Sequence, residues 1–228
     1  MQPILLLHGA IGASDQLLPL KEILADSYNV HTLDFSGHGG QPFPQEPFSI
    51  GLFAKEVVDY LDKEQIQSID IFGYSMGGYV ALYMAKHYPD RVGKIVTLAT
   101  KFYWDVPTAE KESKMMNALV IKEKVPAFAA TLAKRHAPNS WEEVLEKTKE
   151  MLQGLGEQNA MSIEDYKLVN NFVLILIGDK DKMVTLEETL DVYKNLPNAH
   201  MGVLPNTQHP IEQVDIGFLG LMIKKHFS

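Results

Sequence analysis

The most informative stretch of this 228-residue sequence is Ile69-Asp70-Ile71-Phe72-Gly73-Tyr74-Ser75-Met76-Gly77-Gly78. A short apolar run leads directly into the pattern Gly-x-Ser-x-Gly, and residues 79–88 continue with helical spacing. A serine on a sharp turn between a strand and a helix has an exposed hydroxyl. Gly73 and Gly77 suit such a turn because a Cβ at either position would clash. We therefore predict a strand, a tight turn carrying Ser75, and a helix.

The composition is that of a globular protein with one sizeable core, since 46% of the residues are hydrophobic and 22% are charged. The net charge of −8 and the absence of a dense basic run argue against nucleic acid as a partner. The absence of cysteine excludes disulfides, thiolate metal sites and a cysteine nucleophile, and it fits a cytoplasmic location. The apolar run Ile4–Leu7 is too short for a signal peptide or a membrane span, so we expect no membrane partner.

Short apolar runs alternate with helical patterns along the chain, which predicts a doubly wound α/β sheet. Several runs are apolar on both faces, as in buried parallel strands. The candidate strands are Ile4–Leu7, Asn29–Leu33, Ser68–Phe72, Lys94–Leu98, Phe172–Ile177 and His200–Leu204. The candidate helices in this part of the chain are 15–25, a helix capped by Ser49, the helix after Ser75, 185–195 and 210–225.

One segment interrupts this alternation, because no convincing strand occurs between about residues 100 and 171. Its helical patterns cover 109–122, 126–135, 140–153 and a short stretch after Ser162. A segment of this length exceeds an ordinary connection between strands. We predict a core formed by residues 1–100 and 171–228, with residues 101–170 inserted after the fourth strand as a helical cap. The alternative is an extra helical layer without a functional role.

Three reactive side chains follow separate predicted strands, whose carboxyl ends form the ligand-binding edge of an α/β sheet. Ser75 follows the third strand, Gly178-Asp179-Lys180-Asp181 follows the fifth, and Gln208-His209 follows the sixth. A serine needs a base to become a good nucleophile, and a carboxylate to orient that base. His209 is the best-placed base among the eight histidines. Asp179 and Asp181 both remain candidates for the acid.

The chain resembles the α/β-hydrolase superfamily, and within it the capped, esterase-like members. The motifs that carry the resemblance are the His8-Gly9 loop, the turn Asp34-x-x-Gly37-His38-Gly39, the Ser75 turn, Gly178-x-x-Asp181 and His209. The resemblance implies a three-layer fold with a mostly parallel sheet. Family members commonly have two further strands before the His-Gly loop, so we expect a reduced sheet of about six strands. Gln208 departs from the commoner glycine at its position.

The resemblance also implies roles for individual residues. The catalytic triad would be Ser75, Asp181 and His209, because the pattern Gly-x-x-Asp selects Asp181 and leaves Asp179 as a turn residue. The oxyanion hole would consist of the backbone N–H groups of Ala10 and Met76. No metal or other cofactor is implied. The remaining motif residues, His8, His38 and Asp34, are expected to be structural.

These observations predict a serine hydrolase that cleaves a small, largely apolar carboxylic ester through an acyl-enzyme on Ser75. The candidates for an apolar acyl pocket are Phe102, Tyr103, Trp104, Met115, Met116 and Phe128, with packing inside the cap as the alternative for each. The fold also supports hydrolysis of thioesters, lactones or C–C bonds, perhydrolysis and acyl transfer. A ligand-binding sensor that keeps the fold is a further alternative, and the oligomeric state is left open.

Overall fold

The central element of the structure is one parallel sheet of six strands. The computed structural model describes residues 1–228 and gives the strand order β2-β1-β3-β4-β5-β6. Every neighbouring pair of strands is parallel, so the predicted sheet is confirmed. The strands are β1 (Pro3–Leu7), β2 (Asn29–Leu33), β3 (Ile69–Tyr74), β4 (Val92–Leu98), β5 (Val173–Gly178) and β6 (Ala199–Leu204).

Helices cover both faces of the sheet and follow most of the strands. Because side chains alternate between the faces of a strand, Leu5 and Leu7 of β1 enter one core while Ile4 and Leu6 enter the other. The ten helices are α1 (Leu18–Leu24), α2 (Ile50–Lys63), α3 (Met76–His87), α4 (Val106–Met115), α5 (Ala118–Lys124), α6 (Pro126–His136), α7 (Trp141–Glu157), α8 (Ile163–Tyr166), α9 (Leu186–Asn195) and α10 (Ile216–Phe227).

Two predicted helices begin later than expected. The segment predicted as a helix over 15–25 starts with a 3-10 turn at Ser14–Leu17, and α1 follows from Leu18. Pro19 lies in the first turn of α1, a position that suits proline because the N–H groups there have no acceptor within the helix. The last helix begins at Ile216 instead of near Pro210. Asp215 caps it by accepting a hydrogen bond from the Phe218 N–H group at 2.9 Å.

The prediction of one helix over 109–122 is wrong, since two helices occupy this range. α4 ends at Met115, and Asn117 starts α5 by accepting a hydrogen bond from the Val120 N–H group at 3.1 Å. Asparagine competes for backbone hydrogen bonds in this way and favours a cap over a helix interior.

Of the five helices between β4 and β5, α4–α7 line a cavity together with residues at the carboxyl ends of the strands. They contain a small core of their own, formed by Ile121, Ala129, Leu132, Trp141 and Leu145. Side chains of α4 and α7 also join the larger core that covers one face of the sheet. The assignment of residues 101–170 as a cap domain remains a prediction about how this segment behaves. None of the helices combines the length and the apolar character needed to cross a membrane.

Candidate active site

Ser75 occupies the sharp turn between β3 and α3. Its backbone has φ 50° and ψ −115°, a conformation that is rare for a residue with a side chain. Its N–H group donates to the Leu98 carbonyl at 2.8 Å, which fixes the turn against β4. The flanking glycines are required, because a Cβ on Gly73 or on Gly77 would lie 2.4 Å from a backbone oxygen. The turn therefore presents the Ser75 side chain at the carboxyl edge of the sheet.

Ser75, His209 and Asp181 come together at this edge, although they are far apart in the sequence. The Ser75 Oγ lies 3.4 Å from the His209 Nε2, and the His209 Nδ1 lies 2.8 Å from the Asp181 Oδ2. The Asp181 carboxylate accepts the Nδ1 proton, so the Nε2 lone pair faces the serine hydroxyl. A distance of 3.4 Å is long for a hydrogen bond, and such bonds often shorten when substrate binds.

The Asp181 carboxylate is held in its ionised form. Burial on its own raises the pKa of this carboxyl group, since the side chain is 0% exposed. The hydrogen bond from His209, together with two bonds from the backbone N–H groups of Met183 (2.8 Å) and Val184 (2.9 Å), outweighs burial. The net pKa of Asp181 is therefore lowered, and the carboxylate orients the imidazole as an anion.

The competing acids have other partners. Asp179 accepts a hydrogen bond from the Thr207 N–H group at 3.0 Å and is exposed. Asp34 accepts two hydrogen bonds from Ser14, one from its N–H group at 2.6 Å and one from its hydroxyl at 3.0 Å. Both carboxylates tie loops together, as expected for structural residues.

The neighbouring histidines His8 and His38 are fully buried. The His8 Nδ1 donates to the Gly9 carbonyl at 2.8 Å and the Nε2 accepts from the Phe35 N–H group at 3.2 Å. Burial lowers the pKa of His8 to about 4, so this ring is neutral near pH 7. No group of three or more histidine, cysteine, aspartate or glutamate side chains is arranged to hold a metal ion.

Ala10 and Met76 flank Ser75 in the lining of one cavity. Met76 is the first residue of α3, so its N–H group has no acceptor within the helix. The loop with Ala10 packs tightly on the Ser75 turn, because a Cβ on Gly9 would lie 2.9 Å from the Tyr74 ring and 3.2 Å from the Ser75 Cβ. The positions of both residues are compatible with the predicted role of their N–H groups in an oxyanion hole.

The cavity beside Ser75 and His209 has a volume of about 360 Å³. It is strongly apolar, since 17 of its 21 lining residues are hydrophobic. The walls come from the sheet edge and from α4–α7. The lining residues that were predicted from the sequence are Trp104, Met115, Met116 and Phe128.

Phe102 and Tyr103 lie outside this cavity, which corrects the prediction for these two residues. Phe102 is buried against Tyr166, with ring centroids 5.9 Å apart. Tyr103 is 55% exposed, and its hydroxyl donates to Asp105 at 3.1 Å. Both border a second cavity, which residues of α4 and α9 also line. The aromatic residues Phe102, Tyr103 and Trp104 follow β4 directly, and only the packing decides which of them faces the site.

Several residues at the site have no clear signal in the sequence. The Tyr74 hydroxyl donates to the His209 carbonyl at 3.1 Å and so helps to hold the histidine loop. Lys101 and Glu112 are the polar members of the cavity lining besides Ser75 and His209. Tyr74 could have been noted from its position next to Ser75, whereas Glu112 lies in a helix whose inward face is not evident from the pattern.

Comparisons with known proteins agree with this fold. A protein 33% identical over 138 residues, 59% of this chain, is a pimeloyl-(acyl-carrier protein) methyl ester esterase of Neisseria meningitidis, and the match spans half (50%) of that relative. A 3-oxoadipate enol-lactonase of Acinetobacter baylyi is 25% identical over 194 residues, which cover 78% of this chain and 71% of that protein.

Solved structures share the architecture over the whole chain. An alpha/beta hydrolase enzyme from a Medee basin deep-sea metagenome library superposes with a TM-score of 0.85 at 15% identity, covering 99% of this chain and 89% of that one. At this identity the likeness concerns the fold alone. A family model described as the alpha/beta hydrolase fold matches residues 2–211, and the chain therefore belongs to the α/β-hydrolase family.

Proposed function

We propose that this protein is a serine esterase that hydrolyses small, largely apolar carboxylic esters through an acyl-enzyme on Ser75. The observation that carries the proposal is the chain of contacts from Asp181 through His209 to Ser75, which ends at an apolar cavity. The esterase and lactonase names of the relatives support the same class of reaction.

In the acylation half-reaction, the Ser75 Oγ attacks the ester carbonyl carbon while the His209 Nε2 accepts the hydroxyl proton. The new C–O bond forms as the carbonyl π electrons move to its oxygen, which becomes an oxyanion. When the carbonyl re-forms, the bond to the alkoxy group breaks. His209 then gives its proton to the departing oxygen, so an alcohol leaves and an acyl-serine remains.

In the deacylation half-reaction, a water molecule takes the place of the alcohol. His209 accepts a proton from this water, whose oxygen attacks the acyl carbon. Collapse of the second oxyanion breaks the bond to the Ser75 Oγ, and the proton returns to the serine. The products are a carboxylic acid and the original hydroxyl, so no cofactor enters the balance.

The surroundings of the reacting atoms suit this chemistry. The buried Asp181 carboxylate stabilises the imidazolium that forms in each half-reaction. The N–H group of Met76 at the start of α3, aided by the helix dipole, and the N–H group of Ala10 would stabilise the oxyanion. A cavity of about 360 Å³ with apolar walls fits a short acyl chain, which gains from burial there.

The direct test compares p-nitrophenyl acetate and butyrate turnover by the wild type and by Ser75→Ala. We expect the substitution to lower kcat by at least about a thousandfold, because the triad acts as a unit. A thermal unfolding curve confirms that the variant is folded. Turnover by folded Ser75→Ala at the wild-type rate would refute the acyl-enzyme on Ser75.

Thioester, lactone and C–C bond hydrolysis, perhydrolysis and acyl transfer could use the same three residues, and assays with a substrate for each reaction distinguish them. Lactones are internal esters and form the second candidate class, which the relationship to an enol-lactonase favours. A fluorophosphonate probe distinguishes an enzyme from a ligand-binding sensor, because it labels a competent serine nucleophile. Absence of labelling in folded wild-type protein would favour the sensor over the enzyme.

A further inference from the structure

Glu112 is an acidic residue in the lining of an otherwise apolar cavity. Besides the reacting residues Ser75 and His209, Lys101 and Glu112 are the two non-hydrophobic residues among the 21 that line it. The mechanism proposed above uses neither of them. Glu112 lies on α4, and it borders both this cavity and the second one beside Tyr103.

The Glu112 carboxyl group lacks a hydrogen-bonding partner in the protein. Its side chain is 3% exposed, and its Oε2 accepts no hydrogen bond. The nearest cation is the Lys111 Nζ, which lies 4.0 Å from the Oε1, beyond hydrogen-bonding distance, on a side chain that is 73% exposed. Burial of an unpaired acid costs stability, so a residue of this kind calls for a partner from outside the chain.

Lys101 has partners of its own. Its ammonium donates to the Met183 carbonyl at 3.0 Å and to the Glu188 carboxylate at 3.3 Å. Because this lysine is paired with Glu188, it does not serve as a counter-ion for Glu112. Its positive charge in the lining of the same cavity nevertheless disfavours a cationic ligand there.

Trp104 supplies a hydrogen-bond donor to complement the acceptor on Glu112. Its indole lines the cavity, and its Nε1–H is buried without an acceptor. Both residues line the cavity, and the protein leaves an acceptor on Glu112 and a donor on Trp104 unused. A hydroxyl group can donate to the first and accept from the second, whereas a methylene group can do neither and an ammonium group can only donate.

We infer that the cavity selects esters whose chain carries a hydroxyl group, which donates a hydrogen bond to Glu112 and accepts one from Trp104. This inference rests on the proposed esterase function and narrows its substrate class to hydroxylated acyl chains. Glu112 is a specificity-determining residue in this account. It contacts the substrate chain and takes no part in proton transfer.

The test uses methyl esters of acids of six to eight carbons in three forms, with a terminal hydroxyl, methoxy or ammonium group. The methoxy form keeps the oxygen but cannot donate. For at least one chain length we expect wild-type kcat/KM to favour the hydroxy ester over the methoxy ester by about tenfold, which is within the usual contribution of one hydrogen bond. In Glu112→Leu this ratio should fall below about twofold.

Two further variants serve as matched controls. Glu110→Gln changes an exposed carboxylate on the same helix and should keep the wild-type ratio. Glu112→Gln keeps the size of the side chain and one acceptor, so its ratio should lie between those of the wild type and Glu112→Leu. Circular dichroism melting curves establish that each variant is folded.

Three results would overturn the inference: equal use of hydroxy and methoxy esters by the wild type at every length, a hydroxy preference that survives in folded Glu112→Leu, or a preference for the ammonium ester. Titration calorimetry with Ser75→Ala measures the same preference as a ratio of Kd values without turnover. Methyl hexanoate hydrolysis by the wild type tests the esterase function separately. A missing hydroxy preference with intact hexanoate hydrolysis therefore refutes the substrate class alone.

Discussion

At the scale of single residues, the site depends on which of two neighbouring aspartates faces His209. Asp181 is buried, accepts the Nδ1 proton of His209 and is fixed by two backbone N–H groups. Asp179 turns outward and holds the Thr207 N–H group instead. The two side chains differ in chemistry only through their surroundings, which makes them a matched pair for mutation.

We expect Asp181→Asn to lower kcat for p-nitrophenyl butyrate by about a hundredfold to ten-thousandfold, because an amide neither fixes the required tautomer nor stabilises the imidazolium. Asp179→Asn should change kcat by less than about threefold, since its loop contact lies away from the reacting atoms. Steady-state kinetics on both variants provide the measurement. A larger loss for Asp179→Asn than for Asp181→Asn would reassign the acid.

At the scale of elements, the close contact of β3 and α3 with the neighbouring strand requires glycine. A Cβ on Gly77 would lie 2.4 Å from the Leu7 carbonyl oxygen, and backbone cannot move aside as a flexible side chain can. Gly154 in α7 is the opposite case, because it is exposed and no atom lies within 4 Å of its Cβ position.

Alanine at these two positions should change stability in opposite directions. Gly77→Ala should lower the free energy of unfolding by at least about 2 kcal/mol through overpacking at the Ser75 turn. Gly154→Ala should raise it by about 0.5–1 kcal/mol, because alanine favours the helix and restricts the unfolded chain. Urea unfolding of both variants tests this contrast, and a stable, active Gly77→Ala protein would contradict the described geometry of the turn.

At the scale of the whole molecule, a cluster of three buried histidines joins the helical segment to the sheet edge. His136 of α6 donates from its Nε2 to the Ile11 carbonyl at 3.0 Å and accepts at its Nδ1 from the Gly39 N–H group at 3.2 Å. Its ring lies 5.8 Å from that of His38, which in turn lies 5.1 Å from His8. Burial lowers the pKa of all three histidines.

The pKa shifts of these histidines predict a loss of stability in weak acid. Each folded-state pKa lies below the unfolded value of 6.5, so the unfolded chain binds more protons as the pH falls. A histidine whose pKa shifts to about 4, as that of His8 does, should by itself lower the free energy of unfolding by about 1 kcal/mol between pH 7 and pH 5.5. Urea unfolding across this range measures the slope.

His136→Gln isolates the contribution of the helical segment. Glutamine does not titrate, so its substitution should make the pH dependence of unfolding shallower. His200→Gln replaces an exposed histidine and serves as the control. A slope that is unchanged in His136→Gln would remove this residue from the pH response.

Local patterns in the sequence were sufficient to predict the Ser75 turn, the six strands and the residue types at the site. Apolar runs of strand length, glycines around Ser75 and the family motifs depend on neighbours within a few residues, so they can be recognised without a structure. The resemblance also selected Asp181 over Asp179, and the structure places Asp181 at His209.

The tertiary structure decided what surrounds Ser75. The break at Asn117, the outward turn of Tyr103 and the position of Glu112 in the cavity wall depend on helices packed from distant parts of the chain. A helical repeat shows that one face is apolar, but it does not show which neighbour that face meets. The sequence by itself therefore determined the fold and the reacting side chains, while long-range packing determined the cavity that receives the substrate.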